Sequence, residues 1–583
     1  MSAEKLITDH IDIWTSAIQA KSASGRGSSK KRELYGIKKL RELILELAVR
    51  GKLVPQDPND EPASVLLERI AVEKAQLVKE GKIKKQKKLP SIDDDDYLFD
   101  IPSGWSWERL GNVGETNIGL TYSPKDAGET GIPVLRSANI QRGKIDLSDL
   151  VRVQKEVKDS VLVEIGDLLI CARNGSKALV GKTAQICELK EPMAFGAFMA
   201  IFRSCINDYI EVFLNSPVYR KNLEGVSTTT INQITQSNLR STICPIPPVE
   251  EQHRIVAKVD ELMALCDQLE QQTEASLDAH QVLVETLLAT LTNSQDATEL
   301  MANWARISEH FDTLFTTEQS IDQLKQTILQ LAVMGRLVPQ DPTDEPAAKL
   351  LERIAEEKAQ LVKEKKIKKQ KALPPIAEDE KPFELPKGWE WCRTGEAGNI
   401  QLGRQRSPKD HSGPHMTPYL RVANVHDNRI DTSDVKQMNF TPEEQKIYRL
   451  EYGDILLNEG QSKELVGRPA MFKDEVANVC FQNTLLRFKA HNNISPEYSL
   501  LYFRHCLYSG RFQKAVKQTT NMAHLSAARL IPIEFPLPPA EEQIKIVERV
   551  NQLSGMCEQL KQRLRDSQQT QLQLTDAIVE QGL

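Results

Sequence analysis

The spacing of hydrophobic positions divides this chain into alternating helical and β textures. From Tyr35, the residues Ile37, Leu40, Ile44 and Leu47 recur three and four apart, which predicts a helix that Gly51 ends. LVPQDPNDEPA then reads as a rigid connector. A helix over about 62–88 follows, with Leu66, Leu67, Ile70, Leu77 and Val78 on one stripe and Asp60 or Glu61 as its cap. Its end, KEGKIKKQKK, suits a helix C-terminus; such a charge run is usually a solvated face, and could also lie against DNA phosphate. From Ile101 to about Ile246 the pattern becomes short β-like runs, PVLRSANI, VEIGDLLICA and AFGAFMAIF, separated by turn residues. At Pro247 it switches again. Ile255, Val259, Leu262, Cys266 and Leu269 form a heptad seam that continues less regularly to about Leu291, where NSQD breaks it. A second helix over about 307–334 predicts an antiparallel helical hairpin.

The pattern then starts again. Residues 329–374 repeat residues 45–90 without a gap at an offset of 284, with 37 of 46 positions identical. Ile321, Leu324, Ile328 and Leu331 stand in register with Ile37, Leu40, Ile44 and Leu47. A second globular stretch, about 385–538, carries PYLRVANV, EYGDILLNEG and ELVGRPA in the same order as their first-half counterparts. The last helix repeats the seam at an offset of 291, as Ile546, Val550, Leu553, Cys557 and Leu560. So long a period excludes a solenoid and marks a duplicated module. The boundaries drawn are an N-terminal helical region with a flexible segment (1–98), a first globe (99–246), a central helical spacer with the connector (247–384), a second globe (385–538) and a C-terminal helix (539–583). The C-terminal helix resembles the first half of the hairpin and the N-terminal helix its second half. Packing the two chain ends together would rebuild the hairpin and give a pseudo-twofold, circularly arranged molecule. Helices of about 40 residues would run on the order of 60 Å. The expected fold class is α+β, with two mixed α/β globes separated by long antiparallel coiled-coil regions.

Composition narrows the chemistry. The net charge of −6 speaks against a simple histone-like polyanion binder, and aromatics at only 5% with 27% charged residues suit long solvent-facing helices. Nine cysteines, an odd number without a CxxC pair, suit reduced thiols in a cytoplasmic protein. No secretory leader and no apolar run of membrane-spanning length is visible. GSKALVGKT (Gly175–Thr183) imitates a phosphate-binding loop, but five residues separate its glycines where four are needed, and GQSKELVGRP has six. The aromatic-ended Asn-Pro-Pro or Asp-Pro-Pro tetrapeptide of amino-methyltransferases and HExxH are absent. His411 and His415 flank Ser-Gly-Pro and cannot share a helical metal face. Nothing selects a catalytic group, a metal site or a cofactor site.

Several paired motifs resemble the specificity subunits of type I restriction–modification systems. They are Gly104-Trp105 and Gly388-Trp389, LRSANI and LRVANV, GDLLI and GDILL, SKALVGK and SKELVGR, and the PPxxEQ exits Pro247–Gln252 and Pro538–Gln543. The long N-terminal segment resembles the variants in which such a stretch supplements the C-terminal helix. The resemblance implies a non-catalytic subunit whose two globes are target recognition domains, each reading one half of a split, asymmetric double-stranded DNA sequence. It implies two methyltransferase (modification) subunits and two ATP-dependent restriction subunits as partners, and no membrane. S-adenosylmethionine, ATP and Mg would belong to those partners. A coiled-coil adaptor with two protein-binding globes is the alternative, and an enzyme built into the globes is a third.

Charge supports the globes as readers. Residues 101–245 hold 16 Lys/Arg against 15 Asp/Glu, and residues 385–538 hold 20 against 16, so the rest of the chain carries the negative charge. DNA binding by the chain alone should therefore be weak. In the first globe the candidate contacts are Thr121, Tyr122, Ser123, Lys125, Arg136, Asn139, Arg173, Asn174, Ser176 and Lys177. In the second they are Arg404, Gln405, Arg406, Ser407, Lys409, Arg421, Asn424, Gln461, Ser462 and Lys463. Arg suits guanine edges, Asn and Gln suit adenine edges, and Lys and Ser suit phosphate. For Arg136, Asn139, Arg421 and Asn424 a purely structural role beside a strand stands equally open. STTTINQ (Ser227–Gln233) and QTTNMAH (Gln518–His524) are further polar candidates.

Overall fold

The computed structural model describes residues 3–20, 32–224, 233–295, 297–364, 372–518 and 522–583. The chain folds into two compact units. Unit 1 comprises residues 1–276 with 566–583, and unit 2 comprises residues 277–565. Each unit contains one globe.

The long helices are α1 (Tyr35–Val49), α2 (Ala63–Lys79), α3 (Val249–Asn293), α4 (Glu318–Val333), α5 (Ala347–Lys363) and α6 (Ala540–Gly582). Among the described residues no helix is long and apolar enough to cross a membrane. The seam residues Ile255, Val259, Leu262, Cys266 and Leu269 are buried in unit 1, and Ile546, Val550, Leu553 and Cys557 are buried in unit 2. The unit boundaries fall inside α3 and α6, so each helix supplies its first part to one unit and its last part to the other.

In unit 1 the chain ends do pack together. The Tyr35 hydroxyl donates to Asp576 at 2.7 Å, Lys52 reaches the Leu583 carbonyl, and Ile578 joins the core of Ile37, Leu40, Leu43 and Ile44. On another side of α1, Arg41 pairs with Asp267 and Glu270 of α3 at 2.7 and 2.8 Å. Unit 2 repeats the scheme around α4. Lys325 and Lys561 pair with Glu558 and Asp322, Arg565 pairs with Glu318, and Gln323 donates to Glu285 of α3. α1 ends at Gly51 (φ +68°), where the Lys52 amide closes back on the Leu47 carbonyl at 2.9 Å. Gly335 (φ +67°) ends α4 in the same way.

Three helix boundaries differ from the sequence reading. The helix expected over 62–88 stops at Lys79, because Gly81 (φ +70°) turns the chain and the Lys82 amide bonds to the Leu77 carbonyl at 3.0 Å. The helix expected over 307–334 is split into Ala297–Glu309, Phe311–Leu314 and α4, which Thr317 caps. Neither Asp60 nor Glu61 caps α2. The Ala63 amide donates to the Gly104 carbonyl at 2.9 Å, while Asp60 takes Arg254 and Glu61 takes Arg69.

Each globe is closed at its base by pairing its first strand with its last. Ser106–Arg109 lies antiparallel to Ile243–Ile246, and Glu390–Arg393 to Glu534–Leu537. The recurrent motifs meet at this seam. The Trp105 indole donates to Glu251 at 2.9 Å, Gln56 of the connector donates to the same carboxylate at 2.6 Å, and Gln252 donates to the Pro247 carbonyl at 2.8 Å. Trp389, Gln340, Glu542, Gln543 and Pro538 rebuild this hub in unit 2. Glu251 and Glu542 are buried, which raises both carboxyls above the usual range, and the indole and amide donors offset part of that rise. The GW pair, the connector and the PPxxEQ exit are therefore one device that fixes each globe to its helices.

Candidate nucleic-acid interface

In the first globe the central strand Leu168–Cys171 pairs with Thr183–Gln185 and with Met199–Arg203, and the last of these pairs with Glu115–Ile118. A second sheet joins Ile132–Leu135 to Ala194–Phe195 and Val151–Val153. Where the strands cross, the loops are tied together by backbone bonds. The Leu120 amide donates to the Phe195 carbonyl at 2.7 Å, and the Ala172 and Arg173 amides both donate to the Phe198 carbonyl at 3.0 Å. A Cβ on Gly119 would lie 2.2 Å from the Phe195 oxygen, so only glycine permits the crossing. The Asn174 amide reaches the Ser137 hydroxyl at 3.3 Å. Residues 119–123, 136–137, 172–177 and 195–198, distant in sequence, thus form one continuous loop cluster.

The second globe repeats the cluster. A Cβ on Gly403 would lie 2.2 Å from the Gln482 oxygen, the Arg404 amide donates to the Phe481 carbonyl, and the Asn483 amide donates back to the Arg404 carbonyl at 3.0 Å. The Val422 amide binds the Thr484 hydroxyl at 3.1 Å, and the Glu459 amide binds the Thr484 carbonyl at 2.9 Å.

Within these clusters the candidate side chains separate into two kinds. Asn139 is 1% exposed. Its oxygen accepts the Arg136 amide at 2.8 Å, and its nitrogen donates to the Asp146 and Asp149 carbonyls at 3.0 and 2.8 Å. Asn424 makes the same three bonds to Arg421, Asp431 and Asp434. Both amides are spent inside the loop and are not available to read bases. Arg136 and Arg421 are tied to Asp149 and Asp434 at 3.1 and 2.5 Å. Arg404 is not a base reader either. It is largely buried, paired with Asp410 and Glu444 at 3.0 and 2.7 Å, and stacked over the Phe440 ring. Its guanidinium holds the Asp410 carboxyl below the usual range. Ser123 and Ser407 start the short helical turn that SPKD encodes in both copies, and the Asp126 carboxyl accepts the Ser123 amide at 2.7 Å. Tyr122 packs against Val134, Val153 and Ala194. Asn174 accepts the Ser176 amide, and Gln461 accepts the Ser462 amide.

The exposed kind comprises Thr121, Lys125, Arg173, Ser176 and Lys177 in the first globe, and Gln405, Arg406, Lys409 and Lys463 in the second. Arg173 has no carboxylate partner among the described residues and lies over the ring of Phe198, itself 60% exposed. Arg406 donates to His411 at 3.0 Å. Most of STTTINQ and the centre of QTTNMAH lie outside the described residues; Gln233 bridges Arg173 through the backbone.

Two regions of this chain, residues 102–279 and 386–567, match the family described as Type I restriction modification DNA specificity domain. The chain belongs to this family. The specificity subunit of the type I restriction enzyme EcoAI from Escherichia coli is 43% identical to it, and that of EcoEI from the same species is 44% identical, each alignment covering all of both chains. The solved HsdS subunit from Thermoanaerobacter tengcongensis aligns over 83% of this chain and 98% of its own, at 18% identity and a TM-score of 0.41.

For this specificity subunit the sequence reading missed the strand-to-strand turn that completes each cluster, Gly196–Phe198 in one globe and Gln482–Thr484 in the other. A signal was present: matching places in the two copies, between repeated strands, are spelled GAF and QNT. Among the described residues there is no group of three or more His, Cys, Asp or Glu able to hold a metal.

Proposed function

We propose that this chain reads a bipartite DNA target as the non-catalytic specificity subunit of a type I restriction–modification enzyme, one half-site per loop cluster. The observation that carries the reading is the division of labour inside the two clusters. The residues that build the crossing are the same in both, namely glycine at 119 and 403, the Arg/Asn turn and SPKD. The residues set on this frame differ: exposed Thr121 and half-buried Tyr122 stand where the other copy has exposed Gln405 and Arg406, and Gly196–Phe198, of which Phe198 is exposed, where it has half-buried Gln482–Thr484. A constant frame with exchanged side chains suits two readers of different sequences. Arg173, Gln405, Arg406 and Asn483 are assigned to base edges, and Lys125, Ser176, Lys177, Lys409 and Lys463 to phosphates. The chain works in the cytoplasm. It holds two methyltransferase subunits, which bring S-adenosylmethionine, and two restriction subunits, which bring ATP and Mg.

The test is genome-wide adenine methylation in cells expressing the chain with its modification partner, before and after the 385–538 globe is exchanged for another. A split motif of which one half changes supports the assignment. Methylation indifferent to the exchange, with the partner active, would overturn it in favour of a protein-binding adaptor.

A further inference from the structure

The repeated connector holds a second basic surface, outside both loop clusters. After Gly81 the chain leaves α2 and runs on without helix or strand; every third residue, Ile83, Gln86 and Leu89, is half-buried, while Lys82, Lys84, Lys85, Lys87 and Lys88 are exposed. The backbone is pinned along the base of the first globe. Gln86 donates to Glu115 at 2.5 Å, Arg240 to the Lys87 carbonyl at 3.2 Å, and Arg109 to the Pro90 and Ser91 carbonyls at 3.0 and 3.1 Å. Lys82 pairs with Glu80. Lys84, Lys85, Lys87 and Lys88 have no carboxylate partner among the described residues. Glu115 is already taken by Lys74 at 3.1 Å, and Asp96 of the following acidic turn by Arg109 at 3.2 Å. The fold thus anchors a segment whose exposed lysines at 84, 85, 87 and 88 are left without a paired carboxylate among the described residues.

The two copies of the connector show what such a row is for. Residues 79–90 hold six lysines and one glutamate, and so do residues 363–374, the centre of which lies outside the described residues. Five of the six lysines keep their positions, and the sixth is kept in number only, since Lys88 becomes Ala372 while Gly81 becomes Lys365. The phosphate backbone of a duplex responds to the number of charges beside it, and that number is the same in both copies. Contact with phosphates carries no sequence information, which suits a segment spelled alike beside two globes that read differently.

We infer that the Lys82–Lys88 segment is a sequence-independent contact for the sugar–phosphate backbone of duplex DNA, separate from the reading loops. It rests on the proposed function only in taking DNA as the ligand. The test uses the full chain, alone and assembled with its modification partner, and a random-sequence duplex titrated over a range of salt concentrations. Changing Lys84, Lys85, Lys87 and Lys88 to Gln should lower the slope of log K against log salt by about 0.9 for each phosphate no longer neutralised, on the order of 2–4 in all. Arginine at the same four positions should restore the slope, and the methylated motif should stay the same in every variant. An unchanged slope in the glutamine variant overturns the inference, as does a reduced slope that arginine does not restore. An unchanged slope with weakened assembly would instead give the row to an acidic surface of the partner. A motif indifferent to globe exchange would overturn the function while leaving the slope measurement standing.

Discussion

Arg173 and Asn139 are both polar candidates of the first globe, and the fold leaves one exposed and buries the other. Replacing Asn139 with Ala removes three hydrogen bonds from a buried site. It should cost about 2–4 kcal/mol of stability, seen as a lower melting temperature with the methylated motif intact. Replacing Arg173 with Ala should leave the melting temperature unchanged and relax one base of the half-site, a drop of about 1–3 kcal/mol in discrimination. Glu211 provides the pH-dependent case. Burial lifts its carboxyl from the usual 4.5 to about 7, only partly offset by the Gln185 amide it accepts. The folded state therefore keeps a proton that the unfolded chain gives up near pH 4.5, so stability falls as pH rises from about 4.5 to about 7. E211Q should match the native chain at pH 4 and exceed it by about 1–3 kcal/mol at pH 8; equal denaturant midpoints at both pH values would refute the assignment. At this scale the sequence was only half legible. It named the polar residues of the loops but not their orientation. Arg404 and Arg406 are two residues apart, yet the strand crossing at Gly403 turns one onto Asp410 and leaves the other in solvent.

At the scale of elements the duplicated spacing was the strongest signal, because each packing arrangement is written twice. Gly51 and Gly335 end their helices where the pattern placed the break. Gly81 was read through as helix because a long basic run suits a helix end so well, while its own left-handed backbone decides otherwise. The two glycines in unit 1 separate strain from crowding. A Cβ on Gly51 would lie 2.5 Å from the Pro102 ring as well as adopting φ +68°, whereas a Cβ on Gly81, at φ +70°, meets nothing within 4 Å. Gly81→Ala should therefore cost only the backbone strain, about 1 kcal/mol. Gly51→Ala adds displacement of Pro102 from beneath the Trp105–Glu251 hub and should cost about 2–4 kcal/mol. Denaturant unfolding of the two variants side by side reads the difference, and equal destabilisation would show that the hub yields freely.

At the scale of the molecule the chain ends in the unit where it began. The fold of unit 1 needs residues from both termini, and α1 is covered on one side by α3 and on another by the last turns of α6. The sequence made this arrangement legible through the two offsets, 284 for α1 with α4 and 291 for α3 with α6, because a segment that resembles half of a hairpin needs the other half. Ile578 is buried against α1, Val579 and Leu583 pack at the edge of the same core, and Asp576 and the Leu583 carbonyl hold Tyr35 and Lys52. Deleting residues 566–583 uncovers this face and should cost unit 1 about 3–5 kcal/mol, taking roughly 25 cal/mol for each Å² of apolar surface returned to water. Unit 2 keeps its own partners in such a variant, since Glu558, Lys561 and Arg565 all precede the cut. Hydrogen exchange should therefore accelerate at Ile37–Leu47 and stay as in the full chain at Ile321–Leu331. Acceleration at neither segment would show that the C-terminal turns are dispensable cover. Equal acceleration at both would show that the two units unfold as one.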